Sequence, residues 1–161
     1  MKRRKSGKVA VGAKVGPRKP ADLPGLGHLH QHLGYFLRRL QIWVFQDFLE
    51  VLAPMKVRTA QYSVLLVIEA NPGRSQAAIG QTLNIERARL ARLLHGLGRR
   101  NWIVRRASGS DARSHSLYLT PKGEKALIKI KTLAEKHEAR LARHVGPARR
   151  KQLIDLLRDF G

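Results

Sequence analysis

Residues 75–100 read SQAAIGQTLNIERARLARLLHGLGRR, and residues 101–123 continue NWIVRRASGSDARSHSLYLTPKG. Ser75 suits a helix N-cap, because its hydroxyl can accept a bond from the unpaired N–H groups of a first turn. Ala77, Ala78, Ile79 and Leu83 then supply the apolar side of a short helix. A tight turn at Thr82–Asn84 leads into a second helix over Ile85–Arg99. Two helices joined so closely predict a helix-turn-helix. Beyond Asn101, Trp102–Arg106 reads as a strand and Ser116–Leu119 as its partner. The polar stretch Ala107–His115, with Gly109 inside it, is expected to form a long tip. A hairpin directly after a helix-turn-helix is a wing. The fold class is therefore mainly α with a small β-hairpin wing, a winged helix-turn-helix.

Outward from this stretch the chain is helical on both sides. Upstream, Tyr62, Leu65, Leu66 and Ile68 mark a helix from about Thr59 that the breaker Asn71-Pro72-Gly73 stops. Before it, apolar residues from Leu29 to Val51 return at helical spacing and predict one long helix from His28 to about Leu52, ended by Pro54. Downstream, Thr120-Pro121 is a cap followed by proline at the first helical position. That helix carries Leu127, Ile130, Leu133, Leu141 and Val145 until Gly146-Pro147 breaks it, and a last helix carries Leu153, Leu156, Leu157 and Phe160. Residues 1–24 are rich in Lys, Arg, Gly and Pro with no acid before Asp22, and are read as a disordered basic tail.

At 100° per residue, Leu90, Leu93, Leu94 and Leu97 share one arc of the second helix, whereas Arg89, Arg92, Gly96 and Arg99 share the opposite one. A leucine face for the core and an arginine face for the outside give this helix the geometry to enter a major groove. The guanidinium fork can donate twice to guanine or to phosphate oxygens. A merely solvated face would mix signs, yet Glu86 is the one acid between Ala70 and Asp111. Arg87, Arg89 and Arg92 lie where base edges are met; Arg99 and Arg100 at the far end suit phosphates or the helix dipole. In the wing, Arg113 can reach a minor groove, with Asp111 holding the tip. Ser75, Gln76 and Arg105 complete the candidate DNA contacts.

The whole composition agrees. The 161 residues carry 32 Lys and Arg against 11 Asp and Glu, a net charge of +21, the footprint of a protein with a polyanionic partner. There is no Cys, so disulfides, thiol switches and Cys-ligated zinc are excluded. No apolar run approaches the ~20 residues that span a bilayer, and no signal peptide is read, so a cytoplasmic protein is expected. The chain has no Gly-rich phosphate loop, no His-Glu-x-x-His motif and no nucleophile elbow; an enzyme is not expected.

Between Val57 and Leu127 the chain resembles the MarR family (multiple antibiotic resistance regulators). The resemblance rests on Ala60-Gln61-Tyr62-Ser63-Val64-Leu65, Asn71-Pro72-Gly73-Arg74-Ser75-Gln76, Arg92-Leu93-Leu94, Asp111-x-Arg113 and Tyr118-Leu119-Thr120-Pro121-Lys122-Gly123. It implies a triangular homodimer that represses from a palindromic double-stranded DNA operator and lets go when a small anionic, often aromatic, ligand binds. It also divides the chain: 25–56 an N-terminal dimerisation helix, 57–120 the DNA-binding domain, 121–161 C-terminal dimerisation helices. Two departures matter. Where the family's recognition helix commonly begins Asp-Arg-Ser-Thr, this chain has Glu86-Arg87-Ala88-Arg89, so the operator sequence cannot be borrowed. The absence of Cys removes thiol peroxide sensing.

Candidate effector residues are His30, Phe36, Arg38, Arg39, Trp43 and Tyr62, since cations beside aromatic surface suit an aromatic carboxylate or its acyl-CoA thioester. His28 and His32, four apart, could share a metal, but no carboxylate accompanies them, and no metal or cofactor is expected. The alternative to a ligand-responsive repressor is a basic architectural nucleic-acid-binding protein without sequence specificity.

Overall fold

The computed structural model describes residues 24–108 and 111–160, with only the backbone described at 108 and 111–115. Residues 1–23 of the expected tail lie outside these. The chain divides between Leu37 and Arg38 into two compact units.

The described part of the first unit holds a 3-10 turn, Gly27–Gln31, and the start of helix α1 (Leu33–Leu52). The single long helix expected from His28 is thus interrupted: His32 is extended, at φ −93° and ψ 108°. Gly27 in the left-handed region, φ 52°, begins the tight turn. With His28 in the 3-10 turn and His32 outside any helix, the four-residue spacing no longer stacks the two rings on one helical face. Among the described residues, no group of three His, Asp or Glu could hold a metal.

The second unit begins inside α1 and continues through α2 (Thr59–Ala70), α3 (Gln76–Thr82), α4 (Arg87–Arg99), β1 (Ile103–Ser108), β2 (Asp111–Leu119), α5 (Pro121–Val145) and α6 (Pro147–Arg158). Helix ends follow the expected chemistry. Pro54 stands in a 3-10 turn, Ala53–Met55, that ends at Lys56 in left-handed conformation, φ 50°. The Ser75 hydroxyl accepts the Ala78 N–H at 3.2 Å and the Thr120 hydroxyl accepts the Gly123 N–H at 3.0 Å, so both predicted caps are made.

The core lies between α2, α4, α5 and the hairpin. Val64, Leu65 and Ile68 from α2, Leu90, Leu94 and Leu97 from α4, and Leu127 and Ile130 from α5 are all buried, each contributing about 1.5–3 kcal/mol relative to exposure. Gly123 lets α5 approach β1. A Cβ there would sit 1.9 Å from the Trp102 carbonyl oxygen, so any side chain would force the backbone to shift.

The hairpin differs from expectation. β1 and β2 pair antiparallel from Ile103 opposite Leu119 to Ala107 opposite His115, with the register shifting between Ala107 and Ser108. The stretch expected as a polar tip, Ala107–His115, thus carries strand on both sides: Ala107 pairs with His115 and Ser108 with Asp111. Beyond the core a two-stranded ribbon meets solvent on both faces, so backbone pairing alone holds it and no apolar alternation marks it. The segment before α3 joins β2 as well: Gly73 N–H donates to Leu117 O at 2.9 Å, and Leu117 N–H to Arg74 O at 3.0 Å. Among the described residues no single helix is long and apolar enough to cross a membrane.

Candidate nucleic-acid interface

Helix α4 is positioned from within. Ile85 N–H donates to Gly80 O at 2.9 Å across the turn, where Asn84 takes a left-handed φ of 48°. A Cβ on Gly80 would stand 3.2 Å from Ile85 O and 3.3 Å from a Leu90 methyl, so the two helices meet at near-minimal separation. Leu90, Leu94 and Leu97 then clamp α4 onto the core, with Leu93 half-buried. The opposite side carries Arg89, Arg92 and Arg99, all exposed, and Arg87 is exposed in the first turn. None of the four makes an ion pair with a described residue. Gly96 departs from the expected arginine arc: it is half-buried, and a Cβ there would lie 3.3 Å from the Gln61 amide nitrogen. It keeps α4 close to α2.

Ser75, Gln76, Gln81, Asn84, Glu86 and Arg87 line one cleft between the start of α3 and the start of α4. Ser75 has its hydroxyl committed to the cap, so Gln76 is the freer polar group. Arg105 continues the Ile103 face of β1 beyond the core and is exposed. Arg106, on the other face, stacks over the Tyr118 ring at 4.7 Å. Asp111 and Arg113 lie in β2, where the backbone alone is described.

Arg100 departs from the phosphate-contact or helix-dipole role expected for it beside Arg99. Instead its Nη2 donates to Met55 O at 2.9 Å, its Nη1 to Lys56 O at 3.1 Å, and its guanidinium lies 3.5 Å from the centre of the Trp102 ring. Arg100 therefore ties the end of α4 to the turn after α1, and burial pulls its pKa down from the ordinary value.

The expected effector residues are distributed across both units. His30 and Phe36 belong to the first and are exposed. In the second, Arg38, Arg39 and Trp43 are exposed, and Tyr62 is half-buried. Trp43 meets the His144 ring at 5.0 Å, whereas Tyr62 meets Phe48 edge-on at 5.6 Å, so the two aromatic rings have different neighbours. Burial raises the Tyr62 phenol above its ordinary pKa.

Beside Phe48 lies a polar cluster absent from the sequence reading. Asp47 on α1 receives His137 Nδ1 at 2.5 Å and Arg140 at 2.9 and 3.0 Å, both from α5, and Phe48 stacks on the His137 ring at 4.6 Å. Burial alone would raise the Asp47 carboxyl, but the hydrogen bonds and charges of His137 and Arg140 outweigh it and hold the pKa below the ordinary carboxylate value. His137 is the one buried polar residue among those described. One signal was available: Ile130, Ala134 and His137 form a single helical stripe, and a histidine on a core stripe requires a partner.

Comparison with known proteins matches this arrangement. The MarR family profile matches residues 56–114. A protein of Thauera aromatica assigned to transcriptional regulation of the hcr operon is 33% identical over 145 residues, 87% of each chain. The repressor CouR, solved on a 23-mer DNA duplex, is 43% identical, with a TM-score of 0.83 over 86% of this chain and 99% of its own. CouR bound to p-coumaroyl-CoA is similar at 41% identity and a TM-score of 0.77, over 84% of this chain and 96% of its own.

Proposed function

The chain belongs to the MarR family of transcription regulators, and on that premise we propose that it is a ligand-responsive repressor that binds a palindromic operator as a homodimer. The observation that carries the reading is the division of α4. Its leucines face the core, and its outer side presents four exposed arginines, Arg87, Arg89, Arg92 and Arg99, that pair with no described residue. Arg87, Arg89 and Arg92 are assigned to base edges and nearby phosphates, Arg99 to the backbone, and Gln76, Ser75, Arg105, Asp111 and Arg113 to the flanking contacts. Residues 57–120 form the DNA-binding domain in this reading.

The homodimer is supported by apolar surface outside that domain. On α1, Leu40, Ile42, Trp43, Phe45 and Leu49 are each at least 40% exposed, and on α6 Leu156 and Leu157 are 62% and 48% exposed. Large apolar side chains left in water on two helices suit burial against a partner. A second copy of residues 25–56 and 121–161 would cover it.

The effector we assign is an aromatic carboxylate carried as its acyl-CoA thioester. Support comes from the similarity to CouR, solved with p-coumaroyl-CoA, and from the cations and aromatic rings at Arg38, Arg39, Trp43 and Tyr62; His30 and Phe36 are further candidates. The test is binding to the promoter beside the protein's own gene against random duplex, then release by a panel of aromatic acids and acyl thioesters. A preference of roughly 10³-fold or more at physiological salt is expected. Equal affinities that collapse together as salt rises would replace this reading with an architectural basic protein.

A further inference from the structure

A second concave surface lies away from the α3–α4 cleft, between the turn after α1, the end of α4 and the first turns of α5. Met55, Arg100, Trp102, Lys122, Lys125 and Lys129 line it, around a volume of about 430 Å³. That is within the usual range for small-molecule sites, about 300–1,000 Å³.

Its chemistry is specific. Lys122, Lys125 and Lys129 are spaced three and four apart, so they project from one stripe of α5. All three are exposed, and none pairs with a described residue. Lys131, on the same helix, is bound to Glu69 at 2.5 Å. Glu124, the nearest acid in sequence, is about 160° around the helix from Lys122 at 100° per residue. The stripe begins at the N-terminus of a 25-residue helix, whose dipole adds to the positive potential. Facing it is a rigid planar cation. Arg100 has both terminal nitrogens bound to backbone carbonyls and one face on the Trp102 indole. Arg100 is half-buried and lines the groove, and guanidinium planes stack well on nucleobases.

We propose that this groove is a nucleotide subsite, in which Lys122, Lys125 and Lys129 hold phosphates and the outer face of Arg100 stacks on the base. The proposal rests on the thioester reading above for the class of ligand, because coenzyme A ends in an adenine nucleotide with three phosphates. The aromatic acyl group is not required for this part of the recognition.

The experiment is calorimetry on the full-length protein with ADP, coenzyme A and phosphate-free adenosine, alongside operator binding. Three variants are compared with wild type: Lys122→Gln/Lys125→Gln/Lys129→Gln, the same three positions changed to Arg, and Lys136→Gln/Arg143→Gln/Arg149→Gln as a charge-matched control. Thermal unfolding verifies that each folds, as expected for exposed positions. ADP and coenzyme A should bind wild type at least about tenfold more tightly than adenosine, and the first variant should lose about tenfold or more of that affinity. The Arg variant and the control should stay near wild type. No heat from ADP and coenzyme A on wild type, or equal loss in the control, overturns the subsite. So does a first variant that loses operator affinity but keeps nucleotide affinity, which would make the stripe a DNA-backbone contact. Thioester release of the operator at one concentration from both wild type and the first variant leaves the effector reading standing without this subsite. Nucleotide binding lost in the first variant, with no thioester releasing the operator, supports the subsite and removes the effector reading.

Discussion

Helix α4 and the α1–α6 pair are both amphipathic, yet they end in opposite states. The α4 leucines Leu90, Leu94 and Leu97 are at most 1% exposed, so its apolar face is completed inside its own chain and its exposed face is rich in arginine. Helices α1 and α6 keep large apolar side chains at the surface, with Leu156 at 62% exposure. An amphipathic stripe thus states that a surface must be covered but not by what. Helix α4 is covered by α2, α3 and β1; α1 and α6 still expose large apolar side chains.

Two substitutions set that contrast most sharply. Leu94→Ala should cost about 2–5 kcal/mol, because the cavity it leaves is enclosed, and the urea midpoint should fall at every protein concentration. Leu40→Asp should leave residues 57–120 folded and instead weaken the proposed homodimer, seen as a raised dissociation constant by sedimentation across a concentration series. If Leu94→Ala merely changed the concentration dependence, α4 would not be a self-sufficient region.

The tie between α1 and α5 is tested by pH. In the folded state the Asp47 carboxyl binds its proton less readily than in the unfolded chain, since His137 and Arg140 hold it charged. Its contribution is therefore complete above the ordinary carboxylate pKa of about 3.9 and is lost as pH falls through the lowered folded value. Asp47→Asn should cost about 1.5–3 kcal/mol near neutrality and flatten the acid limb of the stability curve. Urea titrations from pH 3 to 7 at fixed protein concentration would show it; an acid limb of unchanged slope would remove Asp47 from the account.

The smallest expected change is on the DNA side. Arg92→Ala should weaken operator binding by about 1–3 kcal/mol if it reads a base, with relaxed discrimination at one position. A uniform loss on all duplexes with a shallower salt slope would make it a phosphate contact instead. Stability should hardly move, because Arg92 is exposed and unpaired.

Much of this architecture was legible because local rules carry it. Caps at Ser75 and Thr120, breakers at Pro72 and Gly146, and the leucine period of α4 act over a few residues. The wing's length was not legible, since paired strands beyond the core need no apolar alternation. The start of α1 was misplaced because Leu29 continues the apolar period across a residue whose backbone is extended, at His32.

Taken alone, the order of residues determined the helix-turn-helix, the wing that follows it, the arginine-rich face of α4 and the positive charge, all of which depend on periodicity, capping and composition. Tertiary structure alone decided what the distant groups do. Asp47 meets His137 across 90 residues, and Arg100 reaches the Met55 carbonyl across 45. Such pairings have no period and no spacing to read; they exist because packed helices bring their side chains to the same few ångströms, where a charge out of water must find a partner.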